Sequence, residues 1–442
     1  MKEYLERMPE ELQGLLNKLR DIAAREGLKA YLVGGFVRDL ILGVKNLDLD
    51  IVVEGDGINF ACIVANSLGE KITVHRQFGT ATVFIKPGLG LDSQFAPAAG
   101  SKPAKLAGHI DFSSARKEYY PSPAHLPVVS PGSLRDDLSR RDFTINSLAI
   151  SLNSSKLVDY FGGQADIKRK VIRVLHPLSF IDDPTRILRA VRFEQRYDFK
   201  IEPDTLRLLK EAVKLNYLGK VHPHRIRDEL VSVLKESAPA KQIKRLGKLA
   251  GFDFIYPGLR FSGNTYLLLR SIRGQVNWFN KENPGRRPLD LWVIYLAGLV
   301  DLLDVSRIRR ICLKFGLRKG EEKRLLSYKE MRPCDIRYLS SSKIQPSRMF
   351  KLLEPLSYET IIALRARHKN KIFRRNTADF LEIYNGMRIS VCGQDLRCLG
   401  VLPGPRYQKI FERVLSAKLN GRAKTKEEEL ILIKKLLKKS LP

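Results

Sequence analysis

Cysteine is scarce in this sequence: five residues in 442, Cys62, Cys312, Cys334, Cys392 and Cys398, odd in number and without close pairs. Such scatter supports neither a disulfide framework nor a tetrahedral zinc site, and the five read as reduced packing residues. No uninterrupted apolar run is long enough to span a bilayer, and the opening Met1-Lys2-Glu3-Tyr4-Leu5-Glu6-Arg7 lacks the apolar core of a signal peptide. A cytoplasmic protein with no membrane partner is expected. No Ser or Cys nucleophile motif stands out, which argues against covalent catalysis, and no internal repeat is present. Of the seven histidines, His222 and His224 flank Pro223 in a turn-like stretch and read as turn and helix-entry residues before ligands. Acid is also in deficit: 48 Asp and Glu against 78 Lys and Arg leave a formal net charge of +30. A field of that sign favours a polyanionic partner, either nucleic acid or an anionic membrane surface.

What is present is ample core. Hydrophobic residues make up 44% of the chain, enough for roughly two to four packed units at this length. The first part alternates helical and extended patterns, with a helix near Glu10 to Glu26, a strand at Ala30, a helix from Phe36, a strand at Leu49 and a helix near Ile58 to Leu68. Strands follow at 71–74, 80–85 and 109–112. Between the last two, Pro87 to Gly108 is rich in Gly, Pro, Ala and Ser and reads as a surface excursion interrupting a hairpin. Beyond Pro177 the pattern turns helical: Pro184 to Arg196, Pro203 to Leu215, His224 to Lys235, Asp290 to Leu303, Arg307 to Lys314 and Thr425 to Leu437. Clusters at Gly251 to Gly258 and Lys281 to Pro288 are candidate subdomain boundaries. The fold class expected is an α/β head with a mixed sheet, followed by an all-helical region.

Three blocks carry candidate chemistry. In Asn46-Leu47-Asp48-Leu49-Asp50-Ile51-Val52-Val53, a strand's period of two points both carboxylates to one face, where they can hold a divalent cation. Taken alone, the pair also fits a solvated strand edge. Upstream, the strand ending at Val33 runs through Gly34-Gly35 into an amphipathic helix closed by Gly43, so backbone amides can approach a phosphate and Arg38 can add a fixed cation. The alternative is a tight packing turn. Asp111, on an alternating strand, is either a third carboxylate for the pair or a solvent-facing side chain. The second block, Arg140-Arg141-Asp142-Phe143-Thr144-Ile145-Asn146, suits polyphosphate binding with the aspartate orienting a guanidinium, or else is a charged loop with an Asp or Thr cap.

The third block is Phe180-Ile181-Asp182-Asp183-Pro184-Thr185-Arg186-Ile187-Leu188-Arg189-Ala190-Val191-Arg192-Phe193. Asp182 or Asp183 caps a helix with Pro184 in its first turn, and Asp183, Arg186 and Arg189 recur every three positions along one side. Asp183 can accept a hydrogen bond from the exocyclic amine of cytosine or adenine while Arg186 donates to the adjacent ring acceptor; uracil and guanine present a carbonyl there. Selection of C and A follows from that arrangement. An ordinary capped helix with an i, i+3 salt bridge is the competing reading.

In this order, Gly34-Gly35-x-x-Arg38-Asp39, Asp48-x-Asp50, Arg140-Arg141-Asp142-Phe143-Thr144-Ile145-Asn146 and Asp182-Asp183-x-x-Arg186 resemble the signature of the class II tRNA nucleotidyltransferase and bacterial poly(A) polymerase family. The likeness runs from the amino terminus to around Lys235 and includes Leu157-Val158-Asp159-Tyr160-Phe161-Gly162-Gly163, which in the family links head to neck. The resemblance implies a catalytic nucleotidyltransferase head over 1–175, a helical neck over 176–240, a helical body over 241–360 and a basic, RNA-binding tail over 361–442. It implies that Asp48 and Asp50 bind Mg2+; Asp111, from its strand position, is the candidate further catalytic carboxylate. Gly34, Gly35 and Arg38 would meet the nucleotide's phosphates and Arg141 the triphosphate or sugar. Asp183 with Arg186 would template the base, and Arg189 and Arg192 would complete the pocket.

The reaction so implied is in-line attack of an RNA 3′-hydroxyl on the α-phosphorus of CTP or ATP. The implied partner is tRNA, gripped at the acceptor stem and T-arm by shape. Candidate contacts are Arg307 to Arg310, Lys418 to Lys439 and the Gly-rich stretch from Val391-Cys392-Gly393 to Gly404-Pro405, each of which also reads as solvated surface. Within the family, the segment from Ala115 to Val129 is most like the A-adding type. Competing functions are poly(A) polymerase, which shares every motif, and a non-catalytic RNA-binding module, against which the juxtaposed charges of Asp48 and Asp50 count.

Overall fold

The structure is a computed structural model and describes residues 8, 10–44, 46, 48–86 and 108–438. Residues 87–107 of the expected excursion, Leu47 and the last residue of the Lys418 to Lys439 stretch lie outside the described residues. The chain divides into two compact units, Met1–Pro257 and Gly258–Pro442, with the division inside the Gly251 to Gly258 cluster.

The first unit is built on a seven-stranded mixed sheet in the order β3-β4-β5-β2-β1-β8-β9. Its strands are β1 (Lys29–Val33), β2 (Leu49–Glu54), β3 (Lys71–His75), β4 (Thr80–Ile85), β5 (Gly108–Ser114), β8 (Ala149–Ser151) and β9 (Leu157–Val158); β6 (Arg116–Tyr119) and β7 (Val128–Pro131) form a separate hairpin. β2 lies parallel to β5 and antiparallel to β1. Leu49, Ile51 and Val53 bury one face of β2, while Asp50 and Glu54 flank the buried Val52 on the other. The helix Gly57–Leu68 covers β3 to β5 with Phe60 edge-on to Phe112, ring centroids 5.7 Å apart. It approaches so closely that a Cβ on Gly57 would stand 2.5 Å from the Ser113 carbonyl carbon.

After β9 the longer helices of this unit are Arg186–Tyr197, Pro203–Lys214, Pro223–Leu234 and Pro239–Leu249. A bidentate pair joins two of them, with Arg245 Nε and Nη2 donating to Glu194 Oε2 and Oε1 at 2.7 and 2.8 Å.

The second unit is helical among the described residues, from Gly263–Glu282 to Lys426–Lys438. The helix Leu291–Leu299 buries Trp292 through Leu299 on every side, and ends four residues short of the expected Leu303. Val300 closes it, and Asp301 leaves the helical path to accept a hydrogen bond from Tyr328 OH at 2.5 Å. Val391, Leu396 and Val401 of the Gly-rich stretch pack with Ile410, Val414 and Ile433. Lys418, one of the expected RNA contacts, donates its Nζ to the buried Glu429 at 2.7 Å. No helix among the described residues is long and apolar enough to cross a membrane.

Candidate active site

The site is organised by the bend after β1. Gly34 has φ 71°, a region glycine enters without strain. A Cβ there would lie 2.6 Å from Arg141 Nη1 and 3.8 Å from Asp50 Oδ2, so no side chain fits between the bend and that guanidinium. The helix Gly35–Leu42 follows, with no side chain capping its start, and its first amides remain available to an anion.

Register brings the acids together. Asp50 on β2 is the Cα partner of Asp111 on β5, and Leu49 of Ile110. Asp48 sits just before β2 instead of on it, a difference from the sequence expectation, yet it still falls beside His109, whose Nε2 is 3.4 Å from Asp48 Oδ1 and 3.7 Å from Asp111 Oδ2. Thr82, opposite Asp111 on β4, donates to Asp111 Oδ1 at 2.5 Å. Burial foremost pushes the Asp50 carboxyl up to about 6; Arg141 opposes the rise, and Asp48 and Asp111 add to it. Carboxylates crowded until one resists ionising form a donor set suited to a hard divalent cation, so the residues fit such an ion. Asp48, His109 and Asp111 offer ligand atoms all within 4.8 Å of one another.

The arginines are held by acids behind them. Arg141 Nη2 donates to Asp137 Oδ2 at 3.0 Å, while its buried Nε has no hydrogen-bond partner in the structure. Arg38 is buried, with Nε and Nη2 donating to the two oxygens of Asp39 at 2.8 and 2.9 Å and Nη1 to Asn146 Oδ1 at 2.5 Å. Its guanidinium also lies 5.1 and 4.8 Å from the ring centroids of Phe193 and Tyr197. A Cβ on Gly35 would be 3.5 Å from Arg38 Nη2, which puts an edge of the guanidinium against the bend.

Asp142 orients a guanidinium as its sequence suggests, and the partner is Arg189, whose Nε donates to Oδ2 at 2.8 Å. Burial works upward on this carboxyl, but Arg189 and the amide of Asn146 outweigh it and hold Asp142 down to about 2. Arg189 Nη1 also donates to Glu229 at 3.1 Å. Arg192 is less well satisfied, 3.7 Å from Glu229 and 3.9 Å from Glu236, and burial works to lower its pKa.

Asp183 is the turn residue between a short helix, Ser179–Asp182, and Arg186–Tyr197, so the regular helix starts two residues later than the expected Pro184. Neither Asp182 nor Asp183 caps that helix, whose N-cap is Thr185; Asp183 Oδ1 instead accepts from the Thr185 amide at 3.0 Å and holds the turn before it. The same oxygen is 2.8 Å from Arg225 Nη2. Arg186 is locked, Nη1 donating to Ser179 Oγ and Nη2 to the Arg140 carbonyl, both at 2.6 Å.

Gly34, Gly35, Arg38, Asp48, Asp50, Asp111, Arg141, Asp183, Arg186, Arg189 and Arg192 all line one cleft of about 930 Å³. Lining it too are residues that sequence reasoning did not assign. Glu118 accepts from Arg140 at 2.9 Å and from Tyr120 OH at 3.1 Å, and burial pushes the Tyr120 phenol up to about 12. Arg196 and Arg225 come from the helices Arg186–Tyr197 and Pro223–Leu234. Asp39, Arg140, Asp142 and Asn146 lay inside quoted motifs, whereas Arg225 meets Asp183 across 42 positions of sequence (225 less 183), which no local pattern encodes.

Comparison with known proteins agrees with this geometry. Residues 30–173 match the family model described as Poly A polymerase head domain, and residues 198–261 the model described as Probable RNA and SrmB- binding site of polymerase A. An A-adding tRNA nucleotidyltransferase of Geobacter sulfurreducens is 36% identical over 431 residues, 96% of this chain and 47% of that protein. A CC-adding tRNA nucleotidyltransferase of Deinococcus radiodurans is 33% identical over 420 residues, covering 93% of this chain and 91% of that one. The chain spans between 32% and 60% of the length of three A-adding relatives. Among solved structures, the Thermotoga maritima CCA-adding enzyme complexed with tRNA superposes with a TM-score of 0.71 at 32% identity, over 99% of this chain and 98% of that one.

Proposed function

The chain belongs to the tRNA nucleotidyltransferase and bacterial poly(A) polymerase family, and from that premise we propose that it adds nucleotides from ATP or CTP to the 3′ end of tRNA, with AMP addition to an end already carrying CC as its main reaction. The observation that carries this reading is the single cleft in which the glycine bend, the paired acids and the Asp183–Arg186 turn converge from residues 34 to 192. Three relatives named as A-adding, 36 to 40% identical, favour AMP over CMP.

In this reading the first amides of the helix from Gly35, with the edges of Arg38 and Arg141, receive the triphosphate, and Gly34, whose own amide donates to the Leu148 carbonyl, lets the phosphates approach because it has no side chain. Asp183 and Arg186 read the Watson–Crick edge, and both are fixed before a base arrives, Asp183 by Thr185 and Arg225, Arg186 by Ser179 and the Arg140 carbonyl. Preset partners make a mismatched base leave a buried donor or acceptor unpaired, which is how such a pocket rejects U and G. Asp48, Asp50 and Asp111 would hold Mg2+. When bound, the ion supplies positive charge at the attacking and leaving oxygens. The protein's own part is to align the RNA hydroxyl with the α-phosphorus and to spread positive charge along the departing pyrophosphate. In this reading the protein works in the cytoplasm.

The test offers tRNAs ending before CCA, after one C and after two, each with labelled ATP or CTP. Extension of the third alone, with ATP alone, is expected. Extension of all three with both nucleotides replaces A addition with complete CCA synthesis; long A tails on unrelated RNA indicate poly(A) polymerase; and no incorporation on any RNA contradicts the reading.

A further inference from the structure

The β2–β5 register that sets Asp50 beside Asp111 pairs Leu49 with Ile110, and the residues just before these two, Asp48 and His109, come together with it. His109 and Asp111, two residues apart on β5, share a face of the sheet. The imidazole is half exposed toward the cleft's acids, with Nε2 at 3.4 Å from one Asp48 oxygen and 3.7 Å from Asp111 Oδ2. Thr82 occupies the other Asp111 oxygen, so Oδ2 is the one left beside the imidazole.

These separations are informative. A histidine serving only to pair with a carboxylate would sit within ordinary hydrogen-bond distance of one oxygen, roughly 2.7 to 3.0 Å. Here Nε2 stands off from two oxygens almost equally. Donors bound at right angles about 2.1 Å from one ion lie about 3 Å from each other, and a modest closure of these three groups reaches that spacing. The donor set, two carboxylates and one imidazole, also differs in kind from all-oxygen sets: Mg2+ takes oxygen ligands and water, whereas imidazole suits first-row transition cations.

We infer that His109 Nε2 is a ligand, together with Asp48 and Asp111, of one divalent cation in this cleft, and that it biases the site toward Mn2+ and the later first-row divalent ions relative to Mg2+. The inference rests on the cation-assisted reading of the cleft given above and assigns it a specificity-determining residue.

Pulsed electron paramagnetic resonance of the full chain, loaded with less than one equivalent of Mn2+ and no nucleotide, tests the assignment. Directly bound imidazole nitrogen gives a 14N coupling, which is expected in the unsubstituted protein and lost in His109→Gln, with Mn2+ affinity reduced about tenfold. Incorporation supported by Mn2+ is expected to fall about tenfold more than incorporation supported by Mg2+. Bound Mn2+ without a nitrogen coupling, or a coupling that survives H109Q, overturns the assignment. The two readings fail separately: a protein that extends tRNA but shows no nitrogen coupling sinks the His109 ligand alone, and one that shows the coupling but extends no RNA sinks the proposed activity alone.

Discussion

Asp50 shows most clearly what a single residue contributes and costs. Its carboxyl is raised from an ordinary 3.8 to about 6, so the folded state binds that proton more tightly than the unfolded chain. Stability from this group is therefore greatest near and below pH 4 and is lost as pH climbs through about 6. With cations removed by chelation, Asp50→Asn is expected to be more stable than the parent at pH 7.5 by on the order of 1 to 3 kcal/mol, and equal to it near pH 4. Urea titrations at the two pH values check this; a variant no more stable than the parent at pH 7.5 would show that burial and the neighbouring acids do not hold the Asp50 carboxyl up. Gly34→Ala has the opposite character. The φ of 71° strains any other residue, and the new methyl meets Arg141 at 2.6 Å, so a stability loss of about 1 to 3 kcal/mol with a marked loss of incorporation is expected. Both residues were legible in the sequence, because Gly-Gly after a strand and Asp-x-Asp at a strand are local patterns. His109 was not, since its importance depends on which strand lies beside β2, and a short motif does not contain that information.

At the scale of elements, periodicity performed well where one face is buried and poorly where neither is. The helix Pro203–Lys214 and the strand Thr80–Ile85 fall close to where their apolar spacing places them. The sequence assigns no element to the β6–β7 hairpin, and the reason is visible: Tyr119, Val128 and Val129 are 70%, 61% and 50% exposed, so no apolar alternation marks it. The start of Arg186–Tyr197 was placed two residues early, because Pro184 and Thr185 form a turn tied to Asp183 and not a first helical turn. That helix is fastened to the head through the buried Asp142 and the half-buried Arg189. Asp142→Asn removes the charge facing Arg189 and is expected to cost about 1.5 to 3 kcal/mol in chemical denaturation. A change below about 1 kcal/mol would mean that Glu229 alone holds Arg189.

For the whole molecule, the charge of +30 is the property that composition announced first, and it left nucleic acid and an anionic membrane surface both open. Family membership settles which polyanion to test. If tRNA is held mainly through phosphates, affinity at constant pH is expected to fall on the order of a thousandfold between about 50 and 200 mM salt; filter binding across that range checks it, and a flat response would contradict it. Those contacts are separable from the chemistry. The measurement that reaches the central claim is therefore single-turnover AMP incorporation into a tRNA ending in CC, made with Asp48→Ala and Asp50→Ala alongside tRNA binding by the same two proteins. Acids that hold the cation at the glycine bend predict incorporation reduced by about a thousandfold or more with tRNA affinity held within about threefold; incorporation that persists in either variant would show that the reaction takes place elsewhere.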